Sequence, residues 1–113
     1  MNTALLERVK AHILEEARDE RGPFKVGPFK VPPRASMALI PRTICLLAGK
    51  RTSSYERAAR KLLAITPDDA IKLFYAFAWP NDLRRRYDRA MNRGEVAQVI
   101  AERIDRFIEE HQG

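Results

Sequence analysis

Residues 34–66 carry seven basic side chains, Arg34, Arg42, Lys50, Arg51, Arg57, Arg60 and Lys61, against one acid, Glu56. Cations at that density suit an anionic partner. A second group, Arg85, Arg86 and Arg89, follows on a later segment. From Glu95 to Gly113 the balance reverses, with five acids against two arginines in a chain whose net charge is +6. The candidate anion or nucleic-acid contacts are therefore Lys50, Arg51, Arg57, Arg60, Lys61, Arg85, Arg86 and Arg89. They would hold phosphates without reading bases.

Other chemistry finds little to work with. There is no glycine-rich phosphate loop, no H-E-x-x-H and no nucleophile elbow. Two histidines and one cysteine are too few for a zinc site unless carboxylates complete it, and no spacing suggests that. Adjacent acids such as Glu15/Glu16, Asp68/Asp69 and Glu109/Glu110 diverge on a helix instead of converging. His12 lies beside an apolar stripe, as a boundary residue does, and Cys45 sits in an apolar run, as a small buried hydrophobe does. The expectation is a non-enzyme with no catalytic residues, no metal and no cofactor.

At 113 residues the chain fits one domain, 1–113, and can bury roughly two thirds of its extended surface. A hydrophobic content of 45% with 32% charged residues is that of a globular protein. No apolar run approaches the ~20 residues of a membrane span. The first residues, MNTALLERVK, lack the basic-then-apolar order of a secretion signal. A cytoplasmic protein with no membrane partner is expected.

The elements that must position these side chains are helical. A first helix is expected within 1–21, capped by Asn2 or Thr3, with Leu5, Leu6, Val9, Ile13 and Ala17 as its stripe. Residues 22–36 repeat Gly-Pro-Phe-Lys-Val and end in a proline pair. Prolines forbid helix and weaken strand pairing, so an extended arm is expected there. Phe24, Val26, Phe29 and Val31 could lie on the protein's own helices or on a second subunit.

A helical core should fill 37–113. Pro41 separates two apolar runs, and Gly49 fits a left-handed cap. Ser53 and Glu56 match a capping box, with Tyr55, Ala58, Ala59, Leu62 and Leu63 facing inward. Thr66, Pro67, Asp68 and Asp69 open the most apolar segment, TPDDAIKLFYAFAWP, which reads as one helix up to Pro80. Asn81 can cap the next helix, with Leu83, Tyr87, Ala90 and Met91 inward. The last helix, from Glu95, carries the cleanest stripe: Val96, Val99, Ile100, Ile104, Phe107 and Ile108. The expected core includes Leu62, Leu73, Phe74, Phe77, Trp79, Ile104 and Phe107. The helices around Ser53 and Thr66 could be read as helix-turn-helix, but the recognition helix would then be the most apolar one.

Several of these residues also form an ordered pattern. Thr43, Ala48 and Gly49 give T-x-x-x-x-A-G; Ala58, Ala59, Leu62 and Leu63 follow on a capped helix. Leu73, Phe74, Tyr75, Trp79 and Pro80 give LFY-x-x-x-WP, and Ala101, Arg103, Ile104, Phe107 and Ile108 give A-x-R-I-x-x-F-I. Over residues 41–109 the chain resembles a group of small uncharacterised bacterial and phage proteins with no established activity. Many of that group carry C-G-T-x-x-C, where this chain has Pro41 and Leu46 at the cysteine positions. The resemblance implies a fold and no activity.

The expectation is an all-α bundle of five or six helices with a proline-rich extended arm between the first two. Its function would be protein interaction or oligomerisation, with a protein partner or a homodimer. The alternative is sequence-independent nucleic-acid binding through a basic helical face.

Overall fold

The computed structural model describes residues 1–18, 24–26, 29–31 and 35–112. The elements run α1 (Thr3–Glu16), β1 (Phe24–Val26), β2 (Phe29–Val31), α2 (Ser36–Leu47), α3 (Tyr55–Leu63), α4 (Pro67–Phe74), α5 (Asn81–Arg89) and α6 (Arg93–Gln112). A short 3-10 turn, Ala76–Ala78, joins α4 to α5. The fold is all-α, six helices with one minimal hairpin among the described residues.

Asn2 starts α1, its side-chain oxygen accepting from the Leu5 N–H at 3.1 Å. The same residue donates its backbone N–H to Leu63 O at 2.9 Å and its amide to Leu62 O at 3.4 Å. One asparagine thus caps the start of α1 and the end of α3, and ties the two together. Leu5, Leu6, Val9 and Ile13 turn inward, and α1 packs on α6 and α2.

The two expected apolar runs of 37–48 are one helix, α2, with Pro41 inside it. An interior proline costs ~3 kcal/mol. Burying Leu39, Ile40 and Ile44 completely stabilises by ~1.5–3 kcal/mol each, so packing outweighs the break. The helix ends at Gly49, φ +67°, with Lys50 N–H donating to Cys45 O and Gly49 N–H to Leu46 O. That is a left-handed glycine cap, as expected.

The proline-rich arm falls partly outside the described residues. Within it, Phe24–Val26 and Phe29–Val31 pair antiparallel, Phe24 opposite Val31 and Val26 opposite Phe29. The two copies thus pair with each other in a minimal hairpin. The prolines sit between and after the FKV triplets, so each triplet keeps its own N–H groups.

The central helix is shorter than its apolar pattern predicts. Thr66 caps it, accepting from Asp69 N–H at 3.1 Å, and Pro67 is its first residue. It stops at Phe74, and Tyr75 is extended. Its last four carbonyls are all satisfied. Ile71 O accepts from Tyr75 N–H, and Lys72 O accepts from Arg103 Nε and Nη2 at 3.3 and 3.2 Å. Leu73 O accepts from Trp79 Nε1 at 2.9 Å, and Phe74 O from Ser36 Oγ at 3.1 Å. Ser36 N–H in turn donates to the Tyr87 hydroxyl at 2.9 Å, and that ring meets Trp79 edge-on at 5.0 Å. Elements far apart in sequence converge on the end of α4. Arg103, only 2% exposed, is a buried charge outside the apolar stripe of α6.

This early stop corrects one of the expected core positions, Phe77. Pro80 has no N–H to continue the helix and disfavours helical backbone at Trp79. The frame shifts after Phe74: Trp79 turns in, while Phe77 turns out and is 69% exposed. Met91 also fails to face inward and is 84% exposed, because α5 ends at Arg89 and Ala90 is extended. Leu73, Phe74, Trp79, Ile104 and Phe107 are buried as expected, and Leu62 is half-buried.

Two caps also differ. Ser54, not Ser53, precedes α3 and makes no side-chain cap, and Glu56 does not complete a capping box but lies against the Tyr75 hydroxyl at 2.6 and 2.7 Å. Asn81 is the first residue of α5 instead of its cap, and its side chain accepts from Arg84. In α6 the cap is Asn92, whose oxygen accepts from Glu95 N–H at 2.9 Å.

Candidate protein-interaction face

The eight cations singled out in the sequence lie on three segments of the chain. Lys50 and Arg51 lie in the loop after α2, and Arg57, Arg60 and Lys61 lie on α3. Arg85, Arg86 and Arg89 lie on α5. Helix α3 packs mainly on α2, and α5 packs on α6 and the 3-10 turn. Arg86 is taken up by an ion pair with Glu102 of α6.

That pair belongs to a network that uses most of the α6 acids. Arg106 grips Asp82 with two nitrogens, at 3.0 and 2.6 Å, and reaches Glu102 at 3.0 Å. Lys10 meets Asp105 at 2.7 Å, and Arg103 meets Glu110 at 3.1 Å. His111 Nε2 lies 3.1 Å from Asp69, and its Nδ1 lies 2.7 Å from Phe107 O. The Arg106 guanidinium holds the Asp82 carboxyl below the usual carboxylate range, and Arg86 does the same to Glu102. Hydrogen bonding to His111 lowers Asp69 likewise. Three of the five acids in the expected acidic tail, Glu102, Asp105 and Glu110, are therefore paired within the molecule, while Arg57, Arg60 and Lys61 of α3 and Arg85 and Arg89 of α5 stand outside these ion pairs.

Between α3 and α4 lies an open groove of about 360 Å³. Pro67, Ala70, Ile71 and Phe74 form its apolar side, and Arg57 and Arg60 its cationic side. The groove exists because α3 and α4 are joined by only three residues, Ala64–Thr66, in a tight reversal. Ala64 takes φ +56°, with its N–H donating to Lys61 O and the Ile65 N–H to Arg60 O. Tyr75 closes one end. Its hydroxyl is locked on Glu56, which pushes the phenol above its ordinary range, with burial adding to the effect. The Phe77 ring lies 5.5 Å from the Tyr75 ring, tilted by 47°. Ile71, also exposed, and Tyr75 line the groove with the two arginines, and Phe77 stands beside Tyr75.

The arm residues fare differently. Phe24 is fully buried in this chain's own core, under the Arg93 guanidinium at 5.7 Å. It is packed internally and does not face a second subunit. The side chains of Val26, Phe29 and Val31 lie outside the described residues.

Reactive groups are occupied or shielded. Burial pushes the Cys45 thiol up, and its sulfur lies 3.7 Å from Tyr55 O. Among the described residues no three His, Cys, Asp or Glu side chains gather as metal ligands, and no helix is long and apolar enough to cross a membrane. Sequence periodicity missed Phe77 as a site residue. The signal that could have found it is Pro80, which argues against a helix running unbroken to Trp79. No family model, curated protein or solved structure matches the chain.

Proposed function

We propose that the protein is a small non-catalytic protein-interaction module whose contact surface is the α3–α4 face. The observation that carries this reading is Phe77, a large aromatic side chain 69% exposed on a short turn between rigid elements. Tyr75 and Ile71 extend the apolar area around it. Aromatic side chains with arginines beside them are the residue types that anchor protein interfaces. A bacterial or phage origin and a cytoplasmic setting belong to the same proposal.

A photo-crosslinking amino acid at Phe77 tests it, with the same group at exposed Arg89 as the control. The expected result is a discrete crosslinked product in cells from position 77 only, lost with Ile71→Asp. Equal products from both positions, or none, would overturn the reading.

A second reading is supported by Lys50, Arg51, Arg57 and Lys61, all exposed, with Arg57 lining the same groove as Tyr75. Aromatic platforms flanked by cations also bind single-stranded nucleic acid. Light-scattering mass with added oligothymidylate at two salt concentrations decides it. A complex at low salt that dissociates at high salt supports nucleic-acid binding, and an unchanged mass removes it.

A further inference from the structure

Resting on that reading, we propose that the partner segment is an amphipathic helix with carboxylates beside its apolar stripe. The groove presents Pro67, Ala70, Ile71 and Phe74 along one side and Arg57 with Arg60 along the other. The two arginines are three residues apart on α3, about 4.5 Å along its axis. Carboxylates three or four residues apart on a partner helix match that spacing. The one acid lining the groove, Glu56, is held by the Tyr75 hydroxyl, and the two arginines outnumber it, so the groove keeps a net positive charge.

Two other occupants fit less well. A second copy of this chain would offer few free acids, Asp68, Asp88 and Glu109 among them, because Glu102, Asp105, Glu110, Asp82 and Asp69 are engaged within the molecule. A phosphate backbone would leave the largely aliphatic side wall uncovered. A helix laid in the groove satisfies both walls at once.

Fluorescein-labelled model helices sharing one leucine stripe, with Glu, Gln or Lys on the flanking positions, test the inference by anisotropy. The Glu helix is expected to bind roughly tenfold tighter than the Gln helix, a preference that salt reduces. Arg57→Gln with Arg60→Gln should erase that difference, and Arg57→Glu with Arg60→Glu should make the Lys helix the tightest. Far-UV circular dichroism checks that each variant is folded. Phe77→Ala should weaken the Glu and Gln helices alike. Equal binding of the Glu and Gln helices, both weakened by Phe77→Ala, would overturn the acidic partner while leaving the interaction face standing. Binding indifferent to Phe77 would remove the face itself. Failure of all three helices to bind, or displacement of the Glu helix by oligothymidylate, would also overturn the inference.

Discussion

The α5–α6 side and the α3–α4 side draw on the same residue types, arginines and carboxylates on short amphipathic helices, and use them in opposite ways. On the first, Arg86, Arg103 and Arg106 are answered by Glu102, Glu110 and Asp82. On the second, Arg57 and Arg60 border an open apolar groove whose only acid is held by Tyr75. Charge that is answered within the chain positions helices. Charge left beside exposed aromatic surface is available to something else. The difference teaches that a +6 chain need not be uniformly sticky for anions, because some of its arginines are answered within the chain and others are not.

The largest effect should come from the core that supports both sides. Phe74 is buried beneath the groove and its carbonyl anchors Ser36, so Phe74→Ala should cost about 3–5 kcal/mol by denaturant midpoint. Next comes the paired side. Arg103→Ala removes two hydrogen bonds to Lys72 O and an ion pair, and should cost about 2–3 kcal/mol, far more than a surface arginine. Arg57→Ala should cost under about 0.5 kcal/mol in the same assay. Equal losses for the two arginines would break the comparison.

Acid sharpens it. Asp82, Glu102 and Asp69 have folded values below their ordinary ones. The stability they supply is complete above the ordinary carboxylate range near ~4 and is lost as pH falls through the lowered values. Denaturant midpoints should therefore drop between about pH 5 and about pH 2. The drop should be shallower in Asp82→Asn with Glu102→Gln, and unchanged in Arg57→Gln with Arg60→Gln. A smaller effect is expected at the α3–α4 reversal. Ala64 sits at φ +56°, where a Cβ costs about 1–2 kcal/mol, partly offset in glycine by greater freedom when unfolded. Ala64→Gly should stabilise by about 0.5 kcal/mol, measured by thermal melting. A destabilised Ala64→Gly variant would count against strain at this turn.

Much of the helical content is legible in the chain because stripes such as Val96, Val99, Ile100, Ile104 and Phe107 repeat at helical spacing and are indeed buried. The caps at Asn2, Thr66 and Gly49 are legible for the same local reason. What periodicity does not show is where a helix stops when the stop is set by distant partners. The end of α4 is fixed by Arg103, Trp79 and Ser36, which lie 31, 6 and 38 residues away. Phe77 was therefore assigned to the core although Pro80 limits the helix. Pro41 shows the converse, a local breaker overridden by burial. The charge clusters were visible as composition, but which of them cancel depends on pairs such as Lys10 with Asp105, 95 residues apart.

The most direct measurement is an amide chemical-shift titration of the labelled protein with the Glu model helix. The account predicts perturbations centred on Arg57, Arg60, Ile71, Tyr75 and Phe77, with α5 and α6 unmoved. Perturbations concentrated at Arg86, Glu102 and Arg106, or no perturbation at all, would contradict the division between a paired scaffold and an open binding face.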